Sequence, residues 1–227
     1  ADDKIFNDLY VKAEAGVSFS ENAGDFSFLD QTGALGAFNK ENIGESGIYG
    51  LGIGIKLTQN INLEILANYK GDNEFDSLMQ IPTVQANLAT ITGDISSWSF
   101  FSNLSYMFRN HSYKLRKAAL TPYISAGIGL ALVEAENVVF SPSGSTNRAT
   151  FAGDTSTNFA WNFGAGFLIT ISQNISINLG YRYIDLGEAT TKKVVFRNNG
   201  FGSTLSQTSP KIDVSAHEAV IGINYSF

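Results

Sequence analysis

Strict alternation of side-chain type constrains this chain more than any other feature. In "YGLGIGIKLTQNINLEILANYKG" (49–71), Tyr49, Leu51, Ile53, Ile55 and Leu57 alternate with Gly50, Gly52, Gly54 and Lys56. After "TQN" the pattern restarts, with Ile61, Leu63, Ile65, Ala67 and Tyr69 opposed to Asn62, Glu64, Asn68 and Lys70, and Leu66 as the exception. Period two on both sides of a tight turn describes a β-hairpin. A phosphate loop would need GxxxxGK[ST], and a dinucleotide turn would need GxGxxG opening a helix. Here Lys56 precedes Leu57 and no helical period follows, so the glycines line a strand face.

The hairpin recurs. "WNFGAGFLITISQNISINLGYRYIDLG" (161–187) alternates in the same way, and "TQNINLEILANY" aligns with "SQNISINLGYRY" without a gap. Four further segments obey the rule: "LYVKAEAGVSFS" (9–20), "SWSFFSNLSYMF" (97–108), "PYISAGIGLALV" (122–133) and "AHEAVIGINYSF" at the end of the chain. Phe101 and Met107 fall on the wrong side of theirs. The count is eight strands, without the 20–50-residue period that marks a solenoid.

Alternation does not say which face is inside, because a soluble ligand-binding barrel alternates too. Two observations decide. The non-aliphatic face is Gly, Ser and Asn with a few opposed charges, not a dense Lys/Glu coat. Charged residues are only 16% of the chain, against the roughly 25% usual in soluble domains. Small residues suit the cramped interior of an eight-stranded barrel. The connections also alternate. Strands two and three, and six and seven, are joined by a few residues, and four and five by about a dozen. Long joins fall near 21–46, 71–96, 134–157 and 187–212. Short turns at one end and long loops at the other are the pattern of an outer-membrane barrel. The expected fold is therefore all-β, an eight-stranded antiparallel up-and-down transmembrane β-barrel, with residues 1–227 forming one domain.

Aromatic placement agrees with that reading. Tyr49, Tyr69, Trp98, Trp161, Tyr181 and Tyr183 fall near the long-loop ends of their strands, and Tyr106, Phe108, Tyr225 and Phe227 near the short-turn ends. Amphipathic rings prefer headgroup depth, which predicts two girdles. No segment approaches the roughly 20 apolar residues of a spanning helix. In lipid every backbone polar group must pair internally, so a spanning sheet has to close. The net charge of −6 argues against a nucleic-acid partner. Cysteine is absent, which removes disulfides and thiolate metal sites. The opening "ADDK" suits a mature chain released from a signal peptide.

"LGYRYIDLG" (179–187), the ending "HEAVIGINYSF" (217–227), "LYVKAEAG" and "TPYISAGIGLA" resemble the opacity-type, OmpA-like small outer-membrane barrels of Gram-negative bacteria. The resemblance spans the chain. It implies export to the outer membrane, among lipid and lipopolysaccharide, and loops exposed outside. It also implies a terminal assembly signal at Gly222, Tyr225 and Phe227, read by the barrel-assembly machinery. Members of that family include adhesins, immune-evasion antigens and barrels of no known activity.

The inward ionisable residues are Lys12, Glu14, Lys56, Glu64, Arg182 and Glu218. Counting from the turns places Lys56 beside Glu64, and Arg182 beside Glu218. Either they gate a conducting lumen, or they pair because buried charges must and so fill and lock the barrel. His111 lies in the basic short turn "RNHSYKLRK" and reads as solvated. His217 shares an outward face with Ser215 near the outer interface, where the two could serve lipid hydrolysis. A nucleophile–base pair also needs an orienting carboxylate, and adjacent Glu218 points inward. Loop charge is uneven. The first loop holds Glu21, Asp25, Asp30, Glu41 and Glu45 against Lys40; the second holds Asp72, Glu74, Asp76 and Asp94; the fourth carries Lys192, Lys193, Arg197 and Lys211. Long loops on a rigid scaffold are where binding usually resides. The expected role is a non-enzymatic surface antigen or adhesin, without cofactor or metal, meeting host or cell-surface proteins through its loops. A small-solute channel is the alternative, and a lipid A-modifying enzyme a distant one.

Overall fold

The computed structural model describes residues 8–20, 28–29, 35–43, 45–80, 88–115, 118–136, 138–142, 149–192, 194–197, 203–205 and 211–227. Eight long strands form the barrel: β1 (Leu9–Ser20), β2 (Glu45–Lys56), β3 (Ile61–Gln80), β4 (Leu88–Met107), β5 (Ala118–Ala135), β6 (Asp154–Thr170), β7 (Ile175–Thr190) and β8 (Lys211–Ser226). Each pairs antiparallel with its sequence neighbours, and β1 pairs β8 from Tyr10↔Ser226 to Ser20↔Ala216. The sheet therefore closes on itself and leaves no edge within the membrane, as lipid requires.

The short turns follow from their sequences. In the β2–β3 turn the Thr58 hydroxyl accepts from the amides of Asn60 and Ile61 at 3.2 and 3.0 Å. In the β6–β7 turn the Ser172 hydroxyl accepts from the Ile175 amide at 3.1 Å. Each turn also clamps the end of the next strand but one. The Asn60 carbonyl accepts from the Met107 amide at 2.7 Å, and the Asn60 side-chain amide donates to the Met107 carbonyl at 2.7 Å. Asn174 makes the same pair with Ser226, at 2.8 and 2.7 Å. The repeated "QN" is thus a repeated device for fixing strand ends. The β4–β5 connection contains a 3-10 turn at Arg109–His111 and a short strand, Tyr113–Leu115, that pairs with the start of β5.

The long-loop end is more elaborate than alternation implies. At 20 residues each, β3 and β4 reach about twice the 9–11 residues needed to cross a bilayer. Beyond it they are flanked by further strands: Leu35–Ile43 pairs with the upper part of β3 and Val138–Pro142 with that of β4. Ala149–Phe151, Val194–Arg197 and Ser203–Leu205 continue the sheet. A bulge interrupts β7–β8 pairing between Asp185 and Glu188. It is built on Gly187, whose φ of +75° favours glycine and whose amide donates to Asp185 Oδ1 at 2.9 Å.

Polarity inverts along the strands. In β5 the outward face runs Ile124, Ala126, Ile128, Leu130, Leu132 and then Glu134, while the inward face runs Ser125, Gly127, Gly129 and then buried Ala131, Val133 and Ala135. In β7 outward Leu179, Tyr181 and Tyr183 give way to Asp185, and inward Asn178 and Arg182 give way to buried Ile184 and Leu186. Below the switch the wall is apolar outside and polar inside, as in a membrane barrel. Above it the wall has a soluble protein's sense, with an apolar core inside the barrel.

Candidate functional site

The inward glycines of β2 are the floor of the most distinctive feature of the interior. Gly50, Gly52 and Gly54 lie between inward residues of β1 and β3, in register with Glu14, Lys12 and Tyr10 on one side and Asn68, Leu66 and Glu64 on the other. With no side chain on the strand between them, β1 and β3 residues bond across it. Lys12 Nζ reaches Glu64 Oε1 at 3.1 Å, and the Tyr10 hydroxyl donates to Glu64 Oε2 at 3.1 Å. A Cβ on Gly54 would lie 2.2 Å from Tyr10 Cζ, and one on Gly50 would lie 2.8 Å from Glu14 Cγ. The alternating glycines therefore serve packing, not phosphate binding.

From Glu64 the contacts run across the barrel. Lys12 Nζ also pairs with Glu14 Oε2 at 2.8 Å. Arg182 Nη1 meets Glu14 Oε1 at 2.8 Å, while its Nε meets Glu218 Oε2 at 2.6 Å. The result is a connected line, Tyr10–Glu64–Lys12–Glu14–Arg182–Glu218, whose members are all buried. Gly222 faces Glu14 on the β8 side, and a Cβ there would lie 3.2 Å from Glu14 Cβ. Lys70 is buried as well and donates to Ser18 Oγ at 3.0 Å. The buried charges among the described residues are thus three cations (Lys12, Lys70, Arg182) and three carboxylates (Glu14, Glu64, Glu218). Along the line carboxylates and cations alternate in contact, which is what a low-dielectric interior tolerates.

Lys56 is a correction. It does not meet Glu64, because the turn pairs Lys56 with Asn62 and Gly54 with Glu64, two residues higher. Its ammonium instead donates to Ser226 Oγ at 3.1 Å at the lower rim. The partner of Glu64 comes from β1, which counting from one hairpin turn does not reveal. Lys70, Tyr10 and Asn103 belong to the interior and were not singled out. Lys70 and Asn103 lie at inward positions of the period-two pattern, which was the available signal. Asn162 Nδ2 donates to Asn103 Oδ1 at 2.9 Å across Gly127 of the intervening strand, repeating the arrangement over β2. Phe101, Met107 and Leu66, the apolar exceptions, are buried inside.

Outside, Tyr49, Tyr69 and Trp98 lie in register across β2, β3 and β4, with Tyr69 and Trp98 ring centres 5.0 Å apart. Trp161 and Tyr183 are 5.5 Å apart. Tyr181 stacks on His217 at 5.7 Å, and its hydroxyl lies 2.5 Å from His217 Nδ1. These residues mark the level where wall polarity inverts. At the other end Tyr106 pairs with Phe108 at 5.1 Å and Tyr225 with Phe227 at 5.5 Å. The Phe227 amide donates to the Leu9 carbonyl at 3.2 Å, completing closure. Asp185 stands opposite Ser215 on the outward face, a carboxylate that sequence reasoning did not find. The Tyr181 phenol lies against His217 Nδ1, the nitrogen that a carboxylate holds in a hydrolytic triad. His111 is exposed in the lower turn. The loop charges Glu21, Asp25, Asp30 and Lys193 lie outside the described residues, as do the side chains of Lys40, Glu41, Asp72, Glu74, Asp76, Arg197 and Lys211.

An edgeless, even-stranded barrel with an apolar belt and a charge-filled interior defines an outer-membrane protein of a Gram-negative bacterium. The chain belongs to the outer membrane protein beta-barrel domain family, which it matches over residues 4–227. It is 24% identical to outer membrane protein PagN of Salmonella typhimurium over 229 residues, 96% of this chain and 90% of PagN. Its fold is similar to that of OprG from Pseudomonas aeruginosa, with a TM-score of 0.59, 13% identity, and coverage of 98% of this chain and 97% of OprG. It is also similar to that of the outer membrane protease OmpT from Escherichia coli, with a TM-score of 0.53, 10% identity, and coverage of 98% and 97%. A fold shared with a protease does not assign an activity here.

Proposed function

We propose that this protein is a non-enzymatic surface protein, an antigen or adhesin whose barrel is a locked anchor and whose extramembrane strands and loops contact proteins of a host or neighbouring cell. The observation that carries the reading is the ion-pair line from Glu64 to Glu218, which crosses the interior and leaves its charged groups engaged with one another. The length of β3 and β4 supports it, since strands that outrun the bilayer raise the loops clear of the membrane. The partners in this reading are outer-membrane lipid and lipopolysaccharide around the wall, and the barrel-assembly machinery acting on Gly222, Tyr225 and Phe227 during insertion. Cell-surface proteins are the partners at the loops.

Replacement of the 71–96 segment by a short turn, in a barrel that still shows a heat-dependent gel shift, tests this. Loss of binding of protein-bearing cells to their target surface, with a silent planar bilayer before and after, is the expected result. Discrete conductance that changes in Arg182→Ala would overturn it and make the interior the functional element, as in a small-solute channel.

A further inference from the structure

Positive charge gathers in one sector of the short-turn rim. The three short connections, 57–60, 108–117 and 171–174, contain four Lys or Arg and no Asp or Glu, in a chain whose net charge is −6. All four cations, Arg109, Lys114, Arg116 and Lys117, belong to the β4–β5 connection. Arg109 is exposed, and its Nε donates to the Gln59 carbonyl of the neighbouring β2–β3 turn. That bond carries the guanidinium across to the foot of β2, where it shares the wall of an open cleft of about 490 Å3 with Lys56. Arg109 makes no other hydrogen bond or ion pair among the described residues, so both Nη groups remain available. Lys56 Nζ uses one of its three protons on Ser226 Oγ. Asp8 is the one carboxylate on the cleft wall.

What such a cleft takes is set by its depth along the wall. Tyr106, Tyr113, Tyr225 and Phe227 are exposed around the same rim, and rings of this kind settle at headgroup depth. Leu57, next to Lys56 on the cleft wall, is exposed as well. Cations set among exposed apolar groups at that depth meet lipid phosphates before anything in the aqueous space below. A guanidinium grips phosphate bidentately, and an ammonium holds it as a point charge. We infer that the Lys56–Arg109 cleft is a binding site for the headgroup phosphate of an anionic glycerophospholipid in the periplasmic leaflet, the charge of the β4–β5 connection drawing such lipids to this sector. Each Lys or Arg beside a membrane surface favours anionic lipid by roughly fivefold. A zwitterionic headgroup carries a cation of its own, which this sector repels, so selection follows net headgroup charge. The site lies at the opposite end of the barrel from the long loops, and the inference is independent of what they touch.

The test is NMR of the isotope-labelled full-length protein in phosphatidylcholine nanodiscs into which phosphatidylglycerol is introduced stepwise. The Arg109 Nε–H resonance and the backbone amides of Gln59 and His111 should shift and saturate. The backbone amide of Lys192, a cation at the long-loop end, should not move. Lys56→Gln and Arg109→Gln should each raise the half-saturating phosphatidylglycerol fraction about fivefold. If either variant does not fold, salt at about 1 M, where the screening length falls to about 3 Å, should weaken the response of the unmodified protein. Shifts that never saturate, or that survive both substitutions or high salt unchanged, would overturn the inference. So would saturation of the same resonances in pure phosphatidylcholine discs by inorganic phosphate, which would mean a site for free anions. Saturation there by soluble peptidoglycan fragments would overturn it too, making the cell-wall polymer the occupant.

Discussion

The guanidinium of Arg182 lies 2.8 Å from Glu14 and 2.6 Å from Glu218, joining three strands, β7, β8 and β1, around the seam where the barrel closes. Removing one member of a buried charge group leaves the others uncompensated, at a cost of about 3–5 kcal/mol. Arg182→Ala and Glu14→Ala should each lower stability by that order in urea unfolding from detergent micelles. Lys56→Ala, at the rim, should cost no more than about 1 kcal/mol. Equal effects at all three positions would mean that the line does not act as a unit.

Glycine positions separate into two kinds. At Gly54 a Cβ would displace the Tyr10 ring from Glu64, so Gly54→Ala should destabilise by about 1–3 kcal/mol, the usual cost of overpacking. At Gly47 a Cβ would meet only the Tyr49 ring, at an ordinary 3.5 Å. Gly47→Ala should be neutral or stabilising by about 0.4–1 kcal/mol through loss of unfolded-state freedom. Thermal scans of the gel shift distinguish the two.

The turn clamps of Asn60 and Asn174 each hold a strand end by a side-chain bond, to Met107 and Ser226 respectively. Asn60→Ala and Asn174→Ala should each cost about 1 kcal/mol. The double variant should cost the sum, because the two share no partner. A strongly non-additive double variant would mean that the two ends of the repeat are coupled through the barrel.

Arginine substitution along the outer wall locates the membrane. Ile128→Arg, in the apolar belt, should cost about 2–4 kcal/mol in lipid, and Thr157→Arg, above the polarity switch, about 0–1. Equal penalties would place the boundary elsewhere than at the Tyr69–Trp98 level.

The membrane half of the fold was legible because it depends on parity alone. Ile53, Ile65, Ile128 and Ile223 are exposed on the wall because a strand places every second side chain on one face and lipid accepts only apolar ones. Glycine, serine and asparagine fill the inward positions because eight strands leave little room. The repeat of "TQN" and "SQN" marked the turns for the same local reason, although their grip on Met107 and Ser226 involves strands that only the closed sheet brings near.

What the sequence by itself determined, then, was the eight-stranded alternation, the side that meets lipid, and the identity of five of the six buried charges. Only the tertiary structure decided how those charges pair, because strand tilt and stagger bring Lys12 to Glu64 across a glycine strand and not Lys56 from the same hairpin. It alone revealed the polarity inversion above Trp98 and Tyr183. There the pattern keeps its period and exchanges its faces, and the medium around each face depends on how far a strand has risen out of the bilayer.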